Sequence, residues 1–154
     1  MKIVAKTDVG MVRESNQDSY TTGELPNGVA WAVVCDGMGG AAGGNVASST
    51  AVKVIAEQIT SSFRPGMSAN SIKNMMVSAI NAANISVYDI SCSNSELYGM
   101  GTTVVCAIVM EHIAYIAHAG DSRAYIVSHG ALTQLTRDHS VVQELVEHGK
   151  ITAL

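Results

Sequence analysis

The chain has 154 residues, 47% hydrophobic and 14% charged, with a formal net charge of −4 at pH 7. That length suits one domain, and at ~150 residues folding buries roughly 70% of the surface exposed by the unfolded chain, so a core forms without staples. The apolar content excludes intrinsic disorder, and the lack of any Lys or Arg run excludes a phosphate-backbone binder, so no nucleic acid is an expected partner.

Residues 2–9 alternate as a strand does, and residues 18–22 read as a second strand. Pro26-Asn27-Gly28 turns the chain into residues 29–35, a near-continuous apolar run of strand length. Residues 36–44 hold so many glycines that a loop is predicted there. Residues 45–63 carry a helical stripe of Ala47, Ala51, Ile55, Ile59 and Phe63, which Arg64-Pro65-Gly66 ends. A second helix is predicted over 70–91, with Ile72, Met76, Ile80, Ala83, Val87 and Ile90 on one face. Ser68 or Asn70 caps its start, and Met75 and Met76 read as core filler.

Short strands follow at 102–110, 113–119, 124–127 and 131–135, with tight connections at Glu111-His112, Gly120-Asp121 and Ser128-His129-Gly130. That spacing predicts antiparallel neighbours, and the two apolar faces of the first strand predict a sheet covered on both sides. Asp138 is placed as the cap of a short helix over 140–148, ended by Gly149. The pattern is that of an α+β layered domain.

Apolar runs such as residues 104–110 are far shorter than the ~20 residues that span a bilayer, so no membrane is expected. The N-terminus has no apolar stretch of signal-peptide length. Cys35, Cys92 and Cys106 form neither a CxxC pair nor a disulfide framework, which points to a reducing, cytoplasmic setting.

Three aspartates are candidates for chemistry. Asp36 ends an apolar strand and opens the glycine-rich stretch, where the backbone at Gly37 can approach a ligand closely. Asp18 begins another strand, and Asp121 lies in Gly120-Asp121-Ser122-Arg123 between two more. Two carboxylates ~4 Å apart repel by ~4 kcal/mol at an effective dielectric of ~20, a cost that a cation removes. All-oxygen ligands favour Mg²⁺ or Mn²⁺ over Zn²⁺. Taken singly, each residue also fits a plainer role: Asp36 and Asp121 as turn residues, Asp18 and Arg13 as solvated charges.

Several other chemistries are excluded. Gly37-x-Gly39-x-x-Ala42 fits a relaxed dinucleotide fingerprint, but Asp36 repels a pyrophosphate and a helix, not a parallel strand, follows the first helix. Cys35 is no Cys-x5-Arg nucleophile, because Ala41 stands where Arg is needed, and no Gly-Lys-Ser/Thr makes a P-loop. His112, His129, His139 and His148 read as solvated. His118 reads as a hydrogen-bonded strand histidine, with a place lining the site as the alternative.

In sequence order the chain carries Arg13-x-x-Asn16-Gln17-Asp18, Val33-Val34-Cys35-Asp36-Gly37-Met38-Gly39-Gly40, Gly99-Met100-Gly101-Thr102-Thr103, Gly120-Asp121-Ser122-Arg123 and Leu135-Thr136-Arg137-Asp138-His139-Ser140. The series closely resembles the metal-dependent type 2C protein serine/threonine phosphatases in their compact bacterial form. Similar motifs run from residue 3 to about 152. The resemblance implies two antiparallel β-sheets packed as a sandwich, flanked by helices, with a two-metal site at one end. It implies that Asp36 bridges both Mn²⁺ or Mg²⁺ ions, that Asp18 and the Gly37 carbonyl complete one of them, and that Asp121 helps hold a third, weaker ion. It makes Arg13 the residue that grips the substrate phosphate, a task its always-charged fork suits. A metal-bridged hydroxide would then attack the phosphorus of a phosphoserine or phosphothreonine protein in line. A serine/threonine kinase is the implied counterpart.

Two departures from the family pattern bear on activity. Met38 stands where many eukaryotic members carry a histidine proposed as general acid, and methionine donates no proton. The family pattern also continues through a flap, an Asp-Gly-Leu motif and a late Asp-Asn motif, whereas no acidic residue here follows Glu147. Residues 1–154 are therefore expected to be the N-terminal part of such a domain, ending near the start of the flap and lacking two late aspartates. Exposed sheet edges are expected to favour self-association. The rival reading is a catalytically incompetent fragment or a non-catalytic phosphoprotein-binding module.

Overall fold

The structure is a computed structural model that describes residues 1–140 and 148. Its elements are β1 (Asp18–Leu25), β2 (Val29–Met38), α1 (Gly40–Ser62), α2 (Ala69–Ser93), β3 (Gly101–Thr102), β4 (Val104–Val109), β5 (Ala114–Ala119), β6 (Tyr125–Ser128) and β7 (Ala131–Gln134). Strands β1, β2, β4 and β5 lie side by side in that order, with β3 pairing the end of β2. All pairings are antiparallel, and β6–β7 form a second, two-stranded sheet. Two antiparallel sheets and two long helices make the α+β class expected from the sequence.

Helix α1 packs on β1 and β2, and α2 packs on α1 and β5. The side-chain period of two sends Trp31, Val33 and Cys35 of β2, and Val104, Cys106 and Ile108 of β4, into the core beneath α1. The α1 stripe is buried along its whole length at Ala47, Ala51, Ile55, Ile59 and Phe63. Ser68 caps α2, its hydroxyl accepting from the Ser71 amide at 3.1 Å. The buried face of α2 runs through Ile72, Met76, Ala83 and Val87, with Met75 and Ala79 beside it. Ile90, placed on that face by the sequence, is exposed. Steps of four from Ala83 lead through Val87 to Ser91, which is buried instead.

Four other expectations are corrected. Residues 2–9 form no strand and lie exposed; alternation alone makes no strand where no described segment pairs with it. The predicted loop at 36–44 is occupied, since β2 runs through Gly37 to Met38 and α1 begins at Gly40. Strands β5 and β6 are not neighbours, because residues 120–124 are held as a bound loop and β6 turns to pair with β7. The face of the main sheet away from the helices is uncovered among the described residues, with Val34 47% exposed. The short helix expected over 140–148 lies outside the described residues, apart from its two ends. The Asp138 carboxylate accepts both hydrogen bonds of the Arg123 guanidinium, at 2.9 and 2.8 Å.

Candidate active site

The strand register places two of the three candidate aspartates face to face. Asp18 opens β1 opposite Asp36 near the end of β2. Gly37 donates its amide to the Gln17 carbonyl at 3.1 Å, whereas both backbone polar atoms of Asp36 turn the other way, to Thr103. Asp18 and Asp36 are therefore a non-hydrogen-bonded pair, the closer of the two antiparallel geometries, with Cα atoms ~4.5 Å apart in typical sheets.

That closeness sets the electrostatics. The Asp36 carboxyl is pushed up from its ordinary value, first by partial desolvation at the strand end, then by a hydrogen bond with Asp18 and by the charges of Asp18 and Asp121. The Arg13 guanidinium pulls it the other way. The other three predicted side-chain participants thus act on one carboxylate.

Arg13, Asp18, Asp36, Gly37, Met38 and Asp121 line one open cavity of about 860 Å³. Met38 stands at its rim, 54% exposed. A pair of facing carboxylates with an adjacent backbone oxygen is disfavoured as two bare anions and favoured around a divalent cation. The oxygen donor set suits Mg²⁺ or Mn²⁺. Among the described residues no three His, Cys, Asp or Glu side chains converge as a ready ligand set, so the pair itself is the core of the site.

A scaffold of small residues holds this pair. A Cβ on Gly37 would overlap the Gly44 carbonyl, and one on Gly44 would overlap the Gln17 amide group, so β2, α1 and the residues before β1 interlock. Gln17 donates its side-chain amide to the Gly40 carbonyl at 2.6 Å, and its own carbonyl accepts from the buried Ser48 hydroxyl at 2.7 Å. Asn16 Oδ1 accepts from the Asp18 amide at 3.0 Å and fixes the strand start. These contacts account for the Asn16-Gln17-Asp18 part of the motif.

The family model for protein phosphatase 2C matches residues 12–148, which contain every residue of the cavity scaffold just described. The chain belongs to the protein phosphatase 2C family. A putative protein phosphatase 2C-type of Streptococcus pyogenes serotype M6 is 39% identical over 99% of this chain and 61% of its own length. The serine/threonine phosphatase of S. agalactiae matches with a TM-score of 0.86 and 34% identity, covering 96% of this chain and 60% of that one. The catalytic domain of the phosphatase PstP, solved in complex with two manganese ions, matches at TM-score 0.78 and 33% identity, covering 96% and 60%. The chain thus spans about three fifths of these family members.

Within this family member the sequence missed the residues that act through the backbone. Gln17, Ser48, Thr103 and Ser122 give no charge or metal-ligand signal; Gln17, Thr103 and Ser122 stand in the quoted motifs without a role of their own, and Ser48 stands in none. His139, read as solvated, is exposed, but it also makes contacts the sequence did not announce: its ring lies tilted against His118 with centroids 4.6 Å apart, and its Nδ1 accepts from the Gly120 amide at 3.3 Å. The His139 amide in turn donates to the Gly120 carbonyl at 2.9 Å. His118 keeps its expected role, with Nε2 hydrogen-bonded to the Arg137 carbonyl at 2.8 Å.

Proposed function

We propose that the chain carries the metal- and phosphate-binding part of a metal-dependent protein serine/threonine phosphatase. The observation that carries this reading is the register-fixed Asp18–Asp36 pair, gathered with Arg13 and Asp121 around one cavity. In this reading Asp36, Asp18 and the Gly37 carbonyl hold Mn²⁺ or Mg²⁺, and Asp121 contributes to a weaker additional ion. Bound divalent cations supply Lewis acidity, lowering the pKa of water and neutralising phosphate charge.

The chain's own residues do the rest. Arg13 binds and orients phosphate oxygens through its fork, in the same cavity as Asp36 and within electrostatic reach of it. Met38 holds no proton for the leaving serine or threonine oxygen, so that proton has to come from water or from another group. The substrates proposed are phosphoproteins made by a serine/threonine kinase, in keeping with the serine/threonine phosphatases among the relatives. A reducing cytoplasmic setting fits three cysteines that are all free thiols.

The test is phosphate release from a phosphothreonine peptide, with and without Mn²⁺, for this chain, Asp36→Asn and Arg13→Ala. Manganese-dependent release, lost in Asp36→Asn and with a raised KM in Arg13→Ala, is the expected result. A second reading, non-catalytic binding of a phosphoprotein, is favoured by the missing third carboxylate or imidazole ligand among the described residues. Peptide binding that Arg13→Ala abolishes, without release, decides for that reading. Neither binding nor release overturns both.

A further inference from the structure

Thr103 sits at the break between β3 and β4, only 3% exposed. The register of β2 against β3 and β4 is continuous across that break, which puts Thr103 opposite Asp36. In a regular ladder the two residues would exchange both backbone hydrogen bonds. One is present: the Thr103 amide donates to the Asp36 carbonyl at 2.9 Å. The other is replaced, because the Asp36 amide donates to the Thr103 hydroxyl at 3.0 Å. The displaced Thr103 carbonyl accepts from the Thr102 hydroxyl at 2.9 Å.

The same Thr103 hydroxyl reaches the other side of the site. It is hydrogen-bonded to the Ser122 hydroxyl, the residue after Asp121. Its methyl packs on Gly120, the residue before Asp121, where φ is +103° and a Cβ would lie 2.8 Å from the Thr103 Cγ2. Thr103 therefore grips Asp121 from both flanks while also ending both backbone hydrogen bonds of Asp36. Only threonine among the common residues supplies this hydroxyl and this methyl from one β-carbon.

We propose that Thr103 is a positioning residue that fixes the spacing between the Asp36 and Asp121 carboxylates, through a single hydroxyl bonded to the Asp36 amide and to Ser122. This rests on the reading that those aspartates hold divalent cations. Thr103→Val keeps the shape and removes the hydroxyl, and Thr103→Ser restores it. Partners of metal ligands typically cost 10–100-fold in metal affinity when removed.

The experiment measures two quantities on the full chain: Mn²⁺ affinity by calorimetry, and metal-free hydrogen exchange at the Asp36 amide by NMR. Thr103→Val should weaken Mn²⁺ binding by about tenfold or more and speed Asp36 exchange, and Thr103→Ser should recover both. Unchanged Mn²⁺ affinity in a folded Thr103→Val chain, with Asp36→Asn abolishing binding, overturns the proposal and leaves the metal reading standing. No Mn²⁺ binding by the parent chain overturns the metal reading and the coupling to metal with it, while the exchange data still report the hydrogen bond. If Thr103→Val does not fold, Ser122→Ala serves, since it leaves the β2 ladder untouched. It should weaken Mn²⁺ binding in the parent chain but add nothing in an Asp121→Asn background; additive effects contradict the proposal.

Discussion

Asp36 is a residue whose proposed function works against the stability of the metal-free fold. Its folded-state pKa is raised, so the folded chain binds a proton that the unfolded chain releases near the ordinary value of 3.8. Folding stability therefore falls as pH rises from 3.8 through the raised value, and the penalty stays in full above it. Asp36→Asn removes that penalty. In thermal melts at pH 7 without metal, the Asp36→Asn chain should unfold at a higher temperature than the parent, and the two should converge near pH 3. A lower melting temperature at pH 7 would contradict the electrostatic account. Gly37 behaves oppositely: an alanine there meets Gly44 backbone, which has no side chain to swing aside, so Gly37→Ala should cost at least about 1–3 kcal/mol in denaturant unfolding. Asp36, Asp18 and Asp121 were legible in the sequence as charges at strand ends or between strands, but Arg13 and the role of each aspartate became legible only through the family resemblance of the motifs that carry them. Thr103 and Gln17 were not legible, because their contribution passes through backbone hydrogen bonds that only the folded register creates.

Between elements, short polar links fix what the apolar core leaves free. Ser48, fully buried in α1, donates to the Gln17 carbonyl and shares a hydrogen bond with Ser19 in β1 at 3.0 Å. Ser48→Ala should cost about 1–2 kcal/mol and loosen the start of β1; an unchanged denaturation midpoint would show the link to be idle. The Arg123–Asp138 pair fastens the residues after β7 to the loop before β6. Its hydrogen bonds hold the Asp138 carboxyl below its ordinary pKa. The pair's stabilisation is thus present above pH 3.8 and lost as pH falls through the lowered value. Amide protection in β6 and β7 should drop over that acidic range in the parent, and be lower at pH 7 in Asp138→Asn. Helices were the most legible elements, since a stripe from Ala47 to Phe63 has one period and one solution. Residues 36–44 misled because glycine content signals a loop, whereas Gly37 and Gly44 are there for close packing of strand on helix.

At the scale of the whole molecule, apolar surface remains open. Val34 on the sheet face, and Val127 and Leu132 on the β6–β7 hairpin, are 47%, 71% and 67% exposed. Such surface favours association, and a net charge of −4 opposes it only weakly at physiological salt. Sedimentation velocity should show dimers rising with concentration, and a monomer throughout would contradict this. The sequence announced the apolar second face of β4 but not that it is only half-buried, because composition names a buried face without naming what buries it. The central claim is that Asp36 and Asp18 together hold a divalent cation, and calorimetric titration with Mn²⁺ tests it most directly. The parent chain should bind with measurable heat, and Asp36→Asn should show none while remaining folded. Absence of binding by the parent, or equal binding by Asp36→Asn, would contradict the account.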